Sequence, residues 1–360
     1  MSSNSLLSKL ASSLPKGSMS ATMEDSSFAD KQVVATTDVP VLNIMLSSMV
    51  DGGIIPGITQ LVGDSRTFKS LTCLVAMAAY LNTYPDAVAV FFDSEFGASK
   101  KYFTNCGIDM SRVLHIPVVS VEDFKVKVSN ILDSVEADQK VFMFLDSVSQ
   151  LASDKEIADA MDGDVKVDMT RAKAINSVFR IITPKLSLRK IPFYFINSYY
   201  DDIANKYAEK NIKGGKQAFL SSDTLLLVTR SQEKARVDGK EEFVGWNFNY
   251  VILKSRWVHE KSKFTITVTF NEGIDKWSGL MDIARDGGFV EMPTSGFYTR
   301  TTKAGGLSDD KKYRLSQCNT EDFWLPIISS EEFKTYVKQS FSYDAPENGS
   351  IINDGSGDDK

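Results

Sequence analysis

Only two of the 360 residues are histidine, His115 and His259, and only three are cysteine, Cys73, Cys106 and Cys318. Two histidines are too few for a histidine metal site. Three scattered cysteines, an odd number, suit neither a disulfide framework nor a zinc site, so buried thiols are expected. No apolar run approaches the roughly 20 residues that cross a bilayer, and the N-terminus lacks the continuous apolar block of a secretory signal. An intracellular chain without membrane contact is therefore expected. Residues 1–23 also lack arginine, which argues against a mitochondrial transit peptide even though Leu6, Leu7, Leu10 and Leu14 fall on one helix face. Excess positive charge is missing as well: 41 Lys and Arg against 47 Asp and Glu leave a net charge of −6. A passive nucleic-acid coat protein would be basic throughout, so any such contact has to be local. With 42% hydrophobic and 24% charged residues, the composition suits one large domain or two.

What is present begins at Ile58. The run Ile58-Thr59-Gln60-Leu61-Val62 reads as a buried strand, Gly63-Asp64-Ser65-Arg66-Thr67-Phe68 as a loop, and Lys69-Ser70 as the start of a helix whose Leu71, Leu74, Val75, Ala78 and Ala79 recur at helical spacing. Such a loop aims backbone N–H groups and the positive helix end at a phosphate, Lys69 adds a point charge, and Ser70 offers a hydroxyl to Mg²⁺. The pattern G-x-x-x-x-G-K-[ST] asks for glycine where Phe68 stands, so an ordinary strand-turn-helix remains the alternative.

Strands and helices alternate afterwards. Ala87–Phe92, Val113–Ile116, Val141–Leu145, Phe193–Asn197 and Thr224–Val228 read as strands, and 121–135 and 170–183 as helices. Repeated strand-helix-strand units imply an α/β fold with a mostly parallel twisted sheet flanked by helices. In such a sheet ligands bind at the carboxyl ends of the strands. That rule gathers Gly63–Ser70, Glu95, Asp146 and Asn197-Ser198 around one crevice. Asp146 suits the Mg²⁺ side and Glu95 can orient and deprotonate an attacking water. Taken singly, these acids are equally readable as helix caps or turn formers.

These motifs resemble the RecA-like recombinases, and among them the UvsX-type recombinases of T-even-like phages, over about residues 28–324. The resemblance rests on the Gly63–Ser70 loop with its phenylalanine before the lysine, on Phe92-Asp93-Ser94-Glu95-Phe96-Gly97, Phe144-Leu145-Asp146-Ser147 and Asp168-Met169-Thr170-Arg171-Ala172-Lys173, and on Lys254-Ser255-Arg256, Glu260–Phe264 and Gly273-Ile274-Asp275. It implies a RecA-like P-loop ATPase core in which Lys69, Ser70 and Asp146 hold ATP and Mg²⁺, Glu95 activates water, and Tyr102 stacks on adenine. It further implies that Lys254 and Arg256 reach a neighbouring subunit's γ-phosphate. Without it, Tyr102 reads as a half-buried helix residue and Lys254-x-Arg256 as a solvated face.

Two segments match the family's DNA-binding loops in position. The first, 152–168, is acidic, so its DNA contact is expected from backbone N–H groups, from Arg171 or from a wedge such as Val167. The second, 199–217, sets Lys206, Lys210, Lys213 and Lys216 around Gly214-Gly215 with Tyr199, Tyr200 and Tyr207 nearby, giving cations for phosphates and rings for bases. A surface loop is the alternative. Relatives carry glutamine or histidine at Ser198 as a γ-phosphate sensor, and serine is shorter.

The expected organisation is an N-terminal segment over 1–32, with Phe28 as an anchor on a neighbouring protomer, a core over 33–286, a small region over 287–342 and a disordered acidic tail over 343–360. The implied activity is a DNA-dependent ATPase that forms filaments on single-stranded DNA and catalyses pairing and strand exchange with homologous duplex. A phage single-strand-binding protein and a recombination mediator are the implied partners, in the host cytoplasm if the chain is phage-encoded. The alternatives are a RecA-fold hexameric helicase or other motor, or a non-catalytic mediator paralogue.

Overall fold

The computed structural model describes residues 3–16, 18–27, 32–162, 170–200, 211–212, 216–237, 240–303 and 311–343. The chain divides into two units, Met1–Gln32 and Val33–Lys360. The described residues of the first contain one helix, α1 (Ser3–Ser12).

Among the described residues the second unit is built on a nine-stranded sheet. Its first five strands in the chain are β1 (Gly57–Gly63), β2 (Val88–Asp93), β3 (Val113–Pro117), β4 (Val141–Asp146) and β5 (Pro192–Asn197). Two short strands, β6 (Tyr199–Tyr200) and β7 (Asn211–Ile212), pair apart from it, and β8 (Thr224–Val237), β9 (Lys240–Ser255), β10 (Lys263–Thr269) and β11 (Gly273–Ile274) complete it. The order is β11-β10-β9-β8-β1-β5-β4-β2-β3. From β8 to β3 every pairing is parallel, and β8 to β11 extend the sheet antiparallel.

β2, β4 and β5 are apolar on both faces because both are covered. Side chains alternate between two cores, as the period of two requires. Phe91, Phe142, Phe144, Tyr194 and Ile196 face one core with α2 (Pro40–Ser47) and α3 (Lys69–Thr83). Phe92, Met143, Leu145, Phe193 and Phe195 face the other, against α5 (Val121–Ser134) and α7 (Thr170–Arg189), which follow the short α4 (Lys100–Asn105) and α6 (Asp154–Met161). The helix read as 170–183 thus continues to Arg189, through Pro184. Residues 287–343 carry a small three-stranded sheet of their own, yet Phe289, Phe323, Trp324 and Phe333 join the α3-side core.

The first proposed DNA segment is not all loop. Ser153 caps α6 through Glu156 N–H while Glu156 reaches back to Ser153 N–H, and Lys155 pairs with Asp159 one turn on. The acids Asp154 and Glu156 in the first turn complement the helix dipole. They therefore serve as helix-starting residues. Asp164, Val167 and Asp168 lie outside the described residues.

Candidate functional site

Because β1, β5, β4 and β2 lie side by side and run the same way, their carboxyl ends deliver the Gly63–Ser70 loop, Ser198, Asp146 and Glu95 to one place. They surround a cavity of about 500 Å³, lined by the loop from Gly63 and Ser65 to Leu71 and by Glu95, Tyr102, Asp146, Ser149, Gln150, Asn197, Ser198 and Phe248.

The loop explains its own departure from the glycine pattern. Phe68 sits at φ 65° and Arg66 at φ 63°, in the left-handed region that a non-glycine residue occupies at a cost of about 1–2 kcal/mol. The Phe68 ring stacks on Phe248 of β9, centroids 4.5 Å apart and planes 21° from parallel, and packs against the core. Stacking and burial of an aromatic ring offset a cost of that size. At Gly63 no replacement is open: a Cβ there would lie 2.4 Å from the Val228 carbonyl oxygen and 2.8 Å from Thr67 Oγ1.

Lys69 is buried, and its ammonium donates to the Gly63 and Asp64 carbonyls at 3.0 and 2.5 Å and to Thr67 Oγ1 at 3.2 Å. Burial lowers its pKa, a shift opposed by Asp146, Glu95 and Asp64. Ser70 Oγ donates to Asp146 Oδ2 at 2.7 Å. Burial pushes the Asp146 carboxyl up to about 6, with Glu95 and Asp93 adding to the rise and the Ser70 hydrogen bond and Lys69 opposing it. Glu95 is oriented by Ser147, whose hydroxyl donates to its Oε1 at 2.7 Å. The turn that carries Glu95 is tied down by Asp93, which accepts from the N–H groups of Glu95 and Phe96. Tyr102, half exposed on α4, borders the cavity.

The donor set fits a nucleotide phosphate with a hard cation. A hydroxyl and a carboxylate in contact supply oxygen ligands of the kind Mg²⁺ takes alongside phosphate oxygens. The Ser198 hydroxyl, which borders the cavity, is buried without a hydrogen-bond partner. A buried polar group of that kind marks a place where a ligand or ordered water completes the bonding.

Other expected residues stand elsewhere. Arg171, expected at DNA, turns inward: Nε donates to the Leu151 carbonyl at 2.6 Å and Nη2 to those of Val148 and Ser149 at 3.1 Å. It braces the turn that brings Ser149 and Gln150 to the cavity. Tyr199, read as a ring for bases, is buried at 8% exposure, and its hydroxyl donates to Asp64 Oδ2 at 2.7 Å. Its ring packs with Val62 and Leu225 and is closed off from bases. Lys254 and Arg256 do not line this chain's cavity. Lys254 donates to the Phe219 and Leu220 carbonyls at the end of α8 (Lys216–Ser221), and Arg256 Nε pairs with Asp223 Oδ1 at 2.6 Å. Lys206, Lys210, Lys213, Gly214, Gly215 and Phe28 lie outside the described residues, and of Lys216 only its place at the start of α8 is described.

Sequence reasoning missed Ser147, Ser149, Gln150 and Phe248. A hydroxyl directly after the Asp146 strand end was a usable signal for Ser147, whereas Phe248 reaches the site only through the pairing of β9 with β8.

The family profile of the RecA N-terminal domain matches residues 4–275, and that of the C-terminal domain of the bacteriophage T4 recombination and repair protein matches residues 277–337. The recombination and repair protein of Enterobacteria phage T4 is 38% identical over 353 residues, covering 96% of this chain and 89% of that protein. The RecA proteins of Malacoplasma penetrans and Chlorobaculum tepidum are 22% and 24% identical, over 78% and 88% of this chain and 82% and 88% of theirs.

Proposed function

The chain belongs to the RecA family of recombinases, beside the phage T4 recombination and repair protein, and on that premise we propose that ATP with Mg²⁺ is its nucleotide and Glu95 its general base. It is a DNA-dependent ATPase and recombinase that forms filaments on DNA and acts in homologous pairing and strand exchange. The observation that carries the nucleotide assignment is the Ser70–Asp146 contact beside buried Lys69, with Ser147-held Glu95 bordering the same cavity. Ser70 and Asp146 are the residues that would hold Mg²⁺, which when bound neutralises charge developing on the phosphates. Lys69, drawn from its loop carbonyls, would take the β- and γ-phosphates. Glu95, fixed by one hydroxyl, would accept the proton of the attacking water.

Lys254 and Arg256 belong to a different task in this reading. They lie away from their own chain's cavity, which supports a role at a neighbour's γ-phosphate, where positioned cations are worth orders of magnitude in rate. The protomer contact itself is assigned to the 1–32 segment, with Phe28 as its anchor on a neighbouring protomer. DNA phosphates are assigned to the lysines of 199–217. The phage single-strand-binding protein and mediator remain proposed partners, in the host cytoplasm, and no described helix is long and apolar enough to cross a membrane.

The test is subunit mixing. Glu95→Gln protein and Lys254→Ala/Arg256→Ala protein, each nearly inactive alone, should recover DNA-stimulated hydrolysis when co-assembled, because some interfaces then pair an intact base with intact cations. Crosslinked co-filaments without recovery would return the basic pair to its own subunit.

A further inference from the structure

His115, one of only two histidines, makes a contact that the nucleotide chemistry above does not use. Its place follows from strand register. On the parallel strands β2 and β3, Phe91 and His115 are partners, and side chains two apart share a face, so Phe91, Asp93 and His115 stand on one side of the sheet. The Phe91 ring stacks on Phe144 with centroids 5.1 Å apart, and the His115 imidazole stacks on Phe91 at 5.3 Å, planes 20° from parallel. The stack leaves Nε2 3.1 Å from Asp93 Oδ2. A carboxylate only accepts, so Nε2 carries the proton and donates it. Asp93 is 3% exposed, and its other oxygen, Oδ1, accepts from the N–H groups of Glu95 and Phe96 at 3.1 and 2.7 Å. Among the described residues no other donor reaches Oδ2. The turn needs this hold. Phe96 sits at φ 55°, in the left-handed region that costs a non-glycine residue about 1–2 kcal/mol. Unlike Phe68 it is 62% exposed, so packing offsets little of that cost. Strained backbone persists only where its surroundings over-determine it. Here Ser94 ties the turn to the carbonyls of Asp146 and Ser147, and Asp93 takes the next two N–H groups.

We propose that His115 is a positioning residue for Glu95. Its Nε2–H fixes the Asp93 carboxylate, and Asp93 fixes the strained turn that sets where the Glu95 carboxylate stands at the cavity. Without the imidazole, Oδ2 loses its donor, the carboxylate is free to rotate, and its grip on the Glu95 and Phe96 N–H groups loosens. A general base works only within hydrogen-bond reach of the water it deprotonates, and small misplacements cost rate steeply. Neither His115 nor Asp93 lines the nucleotide cavity. Loss of the contact therefore slows cleavage and leaves nucleotide binding alone. The inference rests on the reading of Glu95 as the general base.

The experiment follows single-turnover cleavage of ATP by the full-length chain on saturating oligo(dT), beside its affinity for a fluorescent non-hydrolysable ATP analogue. His115→Leu keeps a side chain of similar bulk and removes the donor. It should slow cleavage about tenfold, the worth of one hydrogen bond to a charged acceptor, with analogue affinity unchanged. His115→Gln, whose amide N–H takes the place of the ring N–H, should cleave within about twofold of wild type. In a Glu95→Gln background His115→Leu should slow the residual cleavage no further, since a base that is gone has no position to lose. A wild-type rate in His115→Leu, a loss that His115→Gln fails to restore, a fall in analogue affinity as large as the fall in rate, or a tenfold loss that persists beside Glu95→Gln would each overturn the positioning role. Normal cleavage by Glu95→Gln alone would overturn the assignment of the base itself, and the inference with it, independently of any His115 result.

Discussion

Replacing Asp146 with asparagine should make the nucleotide-free protein more stable while abolishing metal-dependent hydrolysis. Asp146 is 6% exposed and flanked by Asp93 and Glu95, so its charge is costly in the folded chain and cheap in the unfolded one. The folded carboxyl keeps its proton up to about pH 6, whereas the unfolded one loses it near 3.8. Between those values the folded state binds more protons, so stability falls as pH rises through the window and the cost is complete above about pH 6. At about 1.4 kcal/mol per pH unit, the gap corresponds to roughly 3 kcal/mol. Asparagine cannot ionise and still offers Ser70 an acceptor oxygen, but its amide N–H groups need partners, which brings the expected gain at pH 7 to about 1–3 kcal/mol. Urea denaturation without nucleotide or Mg²⁺ should show that gain at pH 7 and about a third of it at pH 4.5. Adding ATP analogue and Mg²⁺ should reverse the order, because the charged carboxylate binds the cation more tightly than a neutral amide oxygen does. An asparagine variant no more stable than wild type at pH 7, or a gain independent of pH, would refute the argument.

Glu95→Gln should bind nucleotide normally and slow single-turnover cleavage by at least about 100-fold, whereas Lys69→Ala should lose binding itself, and normal cleavage by Glu95→Gln would remove it as the base. Alanine at Lys206, Lys210, Lys213 and Lys216 should flatten the salt dependence of single-strand binding by roughly 0.7 in log-log slope per lost phosphate contact, and an unchanged slope would exclude those lysines from the DNA. Arg171→Ala should weaken ATP binding measured without DNA and cost about 1–3 kcal/mol in unfolding experiments, because the Leu151 and Ser149 carbonyls lose the guanidinium donor and that of Val148 keeps only the Leu151 N–H; loss of DNA affinity alone would point back to a phosphate contact.

The parallel half of the fold was legible because β2, β4 and β5 are each a continuous apolar run that ends abruptly in a polar residue. Leu145-Asp146 and Ile196-Asn197 mark both the strand and the edge of the site, so Lys69, Ser70, Glu95 and Asp146 could be gathered by the strand-end rule alone. Arg171 and Tyr199 were misplaced for a common reason. A cation and a ring beside candidate DNA loops look like surface chemistry, and nothing in their spacing reveals that carbonyls at 148–151 or the Asp64 carboxylate will claim them. The length of the β8–β9 hairpin was also hidden, since beyond Val228 its strands carry polar residues on a less buried surface and lose the apolar signal.

The Phe68–Phe248 stack also constrains how such a loop changes over generations. A glycine at position 68 places no demand on the rest of the chain, whereas phenylalanine in a left-handed conformation depends on a ring 180 residues away. Losing Phe248 first would leave the strained backbone without its compensation, and losing Phe68 first would leave the Phe248 ring facing an open space. The two positions are therefore locked to each other, and a lineage that has adopted the pair returns to glycine only by crossing a less stable intermediate. An aromatic residue before the loop lysine is best sought together with an aromatic partner on the long antiparallel strand.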